Sequence, residues 1–187
     1  MKLLLGQKLV AQKEYSKALK IFLNLNESNH INDEILFYLG LIYFELNNFD
    51  KSAYYYNKFL EKKPNSVKAL YNIAFLKQSI GEIGAAKVIY NKLIAKDKNK
   101  VRPYYGLFTL NSNNLNDKEF DNILKLKNNF EHSIFERGII NYLLSKKEKK
   151  NKNFQKEIIY LKKYHDQNFQ SNLNYNKQSQ FYYDRLI

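Results

Sequence analysis

The stretch DEILFYLGLIYFELNNFDKSAYYYNKFLEKKPNS, Asp33–Ser66, decides the fold of this chain. It holds two apolar-periodic segments separated by Asn47-Asn48, and it ends on Pro64-Asn65-Ser66. Its key residues recur outward in both directions at a step of 34. Leu39-Gly40 has counterparts in Leu5-Gly6, Ile73-Ala74 and Leu107-Phe108. Phe49 lies between Tyr15 and Ile83, and Ser52 between Ala18 and Ala86. Tyr56 matches Phe22 and Tyr90, and Phe59 matches Leu25 and Leu93. A fixed period held in five columns is the signature of stacked repeats. With only two prolines and six glycines in the chain, the repeats are helical.

Local signals mark the boundaries of helix pairs. Asn32-Asp33 and Asn65-Ser66 can cap the starts of helices. Gly81 follows an apolar run and suits a left-handed helix end, and Asn47-Asn48 occupies the same place one period earlier.

At these positions the sequence resembles the tetratricopeptide repeat (TPR) family. The family motif asks for Leu-Gly in the first helix (helix A) and a small residue early in the second (helix B). An aromatic, an apolar residue and a proline follow. Leu39, Gly40, Tyr43, Ser52, Tyr56, Phe59 and Pro64 supply nearly all of it. Val67–Lys100 supplies Ile73, Ala74, Ala86, Tyr90 and Leu93 but has Lys98 in place of the proline. The pattern makes physical sense as close packing. A small residue on each helix lets the two approach, and aromatics fill the seam between hairpins that cannot bury their apolar faces alone.

The resemblance implies an all-α solenoid of about five antiparallel hairpins with a C-terminal capping helix. Its regular units span 1–32, 33–66 and 67–100, and divergent units span 101–130 and 131–168. Residues 169–187 form the capping segment. In the fourth unit Tyr104, Leu107 and Leu110 mark helix A, and Phe120, Ile123, Leu124 and Leu126 mark helix B, joined through Asn111-Ser112-Asn113-Asn114. In the fifth, Gly138 takes the glycine position beside Ile134, Tyr142 and Leu143. The lysine run 146–152 reads as its loop, and Phe154, Ile158, Leu161 and His165 as its helix B.

Composition bounds the rest. The chain of 187 residues can bury a core without staples, and it has no cysteine for disulfide or thiolate chemistry. The apolar run near Met1 is too short for a signal peptide, and no stretch approaches the ~18 apolar residues of a membrane span. A cytoplasmic location is expected. The net charge of +13 raises nucleic acid as a partner. Of 31 basic residues, however, only Arg102, Arg137 and Arg185 are arginines, the residue best suited to bidentate phosphate and base contacts. Lysine is abundant beside asparagine, isoleucine and tyrosine, the set that AT-rich coding favours. That bias makes nucleic acid the lesser expectation, and leaves weak nucleic-acid or anionic-surface binding through the lysine-rich stretch 146–163 as an alternative function.

Catalytic constellations are absent from the sequence. His30, His132 and His165 lie in separate units without ligand spacing, and no phosphate loop, nucleophile elbow or metal signature occurs. No enzyme activity and no cofactor are expected.

The resemblance also implies a binding groove, lined by motif positions 2, 5, 9 and 12 of each helix A. These are Leu3 and Gln7, then Phe37, Leu41 and Phe44, then Lys68, Tyr71, Phe75 and Gln78, and last Arg102, Tyr105 and Thr109. Aromatic anchors beside a few cations suit an extended or helical peptide from a protein partner. The alternative is that Phe37, Leu41 and Phe75 pack against neighbouring helices or against a C-terminal segment folded into the groove. Some family members clamp a C-terminal carboxylate. Asn72 stands at one clamp position with Lys68 a turn before it, and Arg102 occupies the place of a second lysine. Phe37, Leu41 and Gly106 depart from the clamp pattern, so the expectation is a looser site for an acidic group at Lys68, Asn72 and Arg102. Residues 131–187 further resemble, in layout, the end of TPR arms that precede a sulfotransferase domain. That likeness implies a non-catalytic arm of a larger enzyme, although the nucleotide-binding Gly-Thr loop of such enzymes is missing here.

Overall fold

The computed structural model describes residues 2–27, 32–129 and 131–171. Among them are ten α-helices and no strand. The chain packs as two compact units, residues 1–93 and 94–187. In the first, α1 (Lys2–Ala11) pairs with α2 (Tyr15–Glu27), α3 (Glu34–Glu45) with α4 (Phe49–Lys62), and α5 (Val67–Ser79) precedes α6 (Ile83–Lys96). In the second, α7 (Val101–Leu110), a 3₁₀ turn at Ser112–Asn114 and α8 (Asp117–Leu126) precede the long pair α9 (Ile134–Lys150) and α10 (Phe154–Ser171). The architecture is an all-α, TPR-like solenoid. The expected capping segment lies outside the described residues beyond Ser171, as does His30.

Helix B of each of the three regular repeats presents one buried stripe, whereas α10 has no buried residue. In α4 it is Ser52, Tyr56 and Phe59, spaced at helical intervals, while Asp50, Lys51, Lys58 and Glu61 face water. The same stripe is Ala18, Phe22 and Leu25 in α2 and Ala86, Tyr90 and Leu93 in α6. Helix α3 is covered on several sides, by α2, α4 and α5, and so buries Ile35, Phe37, Leu39, Gly40, Ile42 and Tyr43. Full burial of each such apolar side chain contributes about 1.5–3 kcal/mol.

The column of small residues works by direct contact. A Cβ built on Gly40 would lie 2.7 Å from the Tyr56 ring, and one on Gly6 would lie 2.8 Å from the Phe22 ring. Glycine thus lets the helix B aromatic lie flat on helix A. The exposed backbone is then used a second time, because the buried Ser52 hydroxyl donates to the Gly40 carbonyl at 2.8 Å. Gly138 differs from these two. Its Cβ would meet Gln167 at 3.7 Å and Tyr164 at 3.8 Å, which is ordinary contact, so α9 and α10 do not depend on that glycine. Leu5 departs as well, being half exposed, because no described hairpin packs in front of α1. Its counterpart Leu39 fills the core against α2.

One turn closes four of the hairpins. Lys13, Asn47, Gly81 and Lys152 all take left-handed backbone, with φ of 61°, 59°, 85° and 58°. In each case the left-handed residue's N–H bonds three residues back, and the next N–H bonds five back: Glu14 to Leu9, Asn48 to Tyr43, Glu82 to Lys77 and Asn153 to Glu148. This is the Schellman arrangement, which satisfies the last helical carbonyls. After two of these turns the next residue caps the following helix, Asn48 by accepting from the Lys51 N–H at 3.1 Å and Asn153 by accepting from the Lys156 N–H at 3.3 Å. The first three turns keep the step of 34.

Several sequence expectations need correction. The lysine run is not a loop, since Lys146, Lys147, Lys149 and Lys150 form the last turns of α9 and the turn begins at Asn151. Lysine is a good helix former, and cations suit the negative end of the helix dipole. Leu124 points outward, whereas Phe120, Ile123 and Leu126 are buried as expected, joined by Leu115 from the connection. Asp33 and Ser66 occupy cap positions without side-chain capping bonds. Asn32 accepts from the Glu34 N–H instead, and Asp33 pairs with Lys62 and Lys63. Full capping boxes occur at Asn116/Glu119 and Ser133/Glu136.

Candidate functional site

In the first unit the helix A positions gather on α3 and α5. Phe37 is almost fully buried, and its ring packs on Tyr38, Tyr56 and Phe59 at centroid distances of 5.6–5.8 Å. It therefore forms the floor of the site and has little surface for a ligand, the outcome expected of an aromatic between stacked hairpins. Leu41 packs partly against the same cluster. Phe44 and Phe75, on successive helices A, lie 5.3 Å apart, and Phe75 is 42% exposed. Tyr71 packs on Tyr90 at 5.8 Å, and the Tyr90 hydroxyl donates to Gln78 at 3.2 Å. Leu3 is partly buried and packs against the core around α2.

The polar members of this group are already engaged. Lys68 Nζ sits 4.3 Å above the Phe37 ring and bonds Glu34 at 2.5 Å. Glu34 is itself motif position 2 of the preceding repeat, one step of 34 before Lys68. Sequence reasoning missed it, although the step that built the columns would have found it. Asn72 donates to the Tyr56 hydroxyl at 3.0 Å, which gives that buried phenol oxygen a donor. Burial pushes the Tyr56 and Tyr90 phenols well above their ordinary value, and the Asn72 bond to Tyr56 opposes this only in part.

In the second unit Arg102 lies over the Phe135 ring at 5.7 Å, and Thr109 bonds back to the Gly106 carbonyl of its own helix. Tyr105 borders a cavity of about 80 Å³ with Phe135, Ile139, Tyr142 and Tyr164. Its phenol is shifted upward by burial first, then by the neighbouring Tyr142 and Tyr164. Phe135, Ile139 and Tyr142 are positions 5, 9 and 12 of the fifth repeat. Carrying the motif one unit further would have found them. Tyr164, on α10, has no such signal.

Among the described residues, no group of three or more His, Cys, Asp or Glu side chains could hold a metal ion. Nor is any described helix long and apolar enough to cross a membrane.

Residues 33–66 match the model of the tetratricopeptide repeat family. They carry Gly40 under Tyr56, with Ser52 bonded to Gly40, and the same columns repeat on either side. Residues 33–66 are thus a tetratricopeptide repeat. MamA 41-end from Desulfovibrio magneticus RS-1 shares the fold, with a TM-score of 0.60 and 14% identity over 91% of this chain and 95% of that one. Another crystal structure of MamA aligns with a TM-score of 0.57 and 19% identity, over 89% of this chain and 95% of that one. At such identities the likeness is one of fold. No curated protein matches this chain in sequence.

Proposed function

We propose that this TPR protein is an interaction scaffold, without catalytic activity of its own, that binds a peptide segment of a protein partner on its helix A faces. The observation that carries this reading is the exposed Phe75 ring set against Phe44 on successive repeats. An apolar ring left in water on an otherwise polar helix face is what a partner's side chain would cover. Leu41, Tyr71 and Gln78 border the same face, and Arg102, Tyr105 and Thr109 offer contacts of the same kind within residues 94–187.

A partner found by pull-down would be titrated calorimetrically against Phe75→Ala, with folding checked by circular dichroism. The expected result is a weakening of about tenfold or more. Unchanged binding by folded Phe75→Ala would remove the face from consideration. The acidic-group proposal is tested separately, because an acidic ligand has to compete with Glu34 for Lys68. Lys68→Ala should then weaken binding and Glu34→Gln should strengthen it. If Glu34→Gln weakens binding or leaves it unaltered, the partner carries no acidic group at this position.

A further inference from the structure

A second cavity in residues 94–187, of about 150 Å³, carries chemistry that the helix A face does not use. It is lined by Lys127 from the end of α8, by Arg137, Ile140 and Asn141 on one face of α9, and by Lys163 and Gln167 on α10. Three of its six lining residues are cations, and none is acidic. Among the described residues, none of the three cations makes an ion pair. Lys127 is held toward α10 by the Tyr160 ring, 4.9 Å from its Nζ. Arg137 is one of only three arginines in a lysine-rich chain. Its Nε is buried with no hydrogen-bond partner.

Like charges gathered around a space lose free energy by repulsion, and a buried guanidinium N–H without an acceptor loses more. An oxyanion in the cavity would reverse both terms, because arginine and lysine donors bind phosphate oxygens in charge-assisted bonds. At roughly 30 Å³ per water, the space admits a tetrahedral anion with some of its hydration.

Asn141 narrows the choice of anion. It is 4% exposed, and its amide nitrogen donates to the Arg137 carbonyl at 3.1 Å and to Gln167 Oε1 at 2.8 Å. A backbone carbonyl can only accept, so the amide nitrogen must face it and the orientation of the amide is fixed. The remaining atom, Oδ1, is buried and unpartnered, and it needs a donor. We propose that this cavity binds a phosphate group that retains one proton, with Arg137, Lys127 and Lys163 holding its oxygens and Asn141 Oδ1 accepting from its hydroxyl. The phosphate could be a free ion or a monoester on a larger ligand, since the recognising chemistry is the same.

The test is calorimetric titration of the full chain with sodium phosphate, sodium sulfate and O-phosphoserine at matched ionic strength. The pH is set at about 6, near the second ionisation of a phosphate monoester. Sulfate is the decisive control. It is excluded from protein surfaces much as phosphate is, but it brings no proton to Asn141. Saturable phosphate binding is expected, with sulfate weaker by about tenfold or more. Arg137→Gln and the more exposed Lys163→Gln should each weaken phosphate to a similar degree. Lys92→Gln, the same charge change in the other unit, should have no effect. Binding of O-phosphoserine but not phosphate would assign a monoester ligand, and the reverse would assign the free ion. Equal affinity for sulfate, or unaltered binding in folded Lys163→Gln, would overturn the proposal.

Discussion

At the scale of single residues, the chain is held together by places where only one size of side chain fits. Gly40 is the clearest. The Tyr56 ring that covers it is fully buried, with its hydroxyl held by Asn72, so the ring has nowhere to retreat. Three ring atoms would lie within 2.9 Å of a new Cβ. Gly40→Ala should gain about 1 kcal/mol in helix propensity and lose about 1–3 kcal/mol to overpacking. The expected net result is lower stability, and Gly40→Leu should be worse. Gly138→Ala meets only ordinary contacts, so the propensity gain should stand alone and raise stability by up to about 1 kcal/mol. Urea unfolding of both variants checks this. A Gly138→Ala variant as damaged as Gly40→Ala would show that α9 and α10 pack more tightly than these distances indicate.

The element that repeats is the hairpin turn, and its chemistry varies while its geometry does not. Only Gly81 is a residue at ease with left-handed backbone, and asparagine tolerates it. Lysine at 13 and 152 carries the steric cost of about 1–2 kcal/mol. Lys13→Gly and Lys152→Gly should relieve that strain, less the extra freedom that glycine gives the unfolded chain, for a net gain near 0.5–1 kcal/mol. Asn47→Gly should be close to neutral, and Gly81→Ala should cost about 1 kcal/mol. Thermal melts test the set, and a lower midpoint for Lys152→Gly would contradict it. These turns also show what a sequence reveals at this scale. Gly81 and Asn47-Asn48 announce a helix end through residue type, whereas Lys13 and Lys152 do not. The run 146–152 reads as a loop because it is charged, yet lysine supports a helix and the chain turns only where the Schellman bonds close. Periodic columns are legible because packing restricts residue type at Gly40, Ser52 and Tyr56. The groove is legible only as positions. The motif says that Phe37 and Phe75 face the same way, but burial, which the motif does not encode, turns one into floor and leaves the other exposed.

For the whole molecule the dominant fact is an excess of positive charge, 31 basic against 18 acidic residues. Such a field attracts any polyanion, so the question is how selectively. The structure scatters the densest lysines around a helix end instead of aligning them. Lys146 lies over the Tyr142 ring at 4.8 Å, whereas Lys147 bonds Asp121 at 3.4 Å and lies 5.6 Å from the Phe120 ring centroid. Lysines held this way offer phosphate contacts without a surface that reads bases, and without the arginine forks that would do so. Nucleic acid should therefore bind in the range of roughly 10⁻⁴–10⁻⁶ M at physiological salt, with no sequence preference. Each phosphate contact releases counterions, so affinity should fall steeply between about 50 and 200 mM salt. Fluorescence anisotropy with random and defined oligonucleotides across that range measures both properties. A single preferred sequence whose binding survives physiological salt would mean that the charge has been arranged for recognition, and nucleic acid would then replace the peptide as the expected partner.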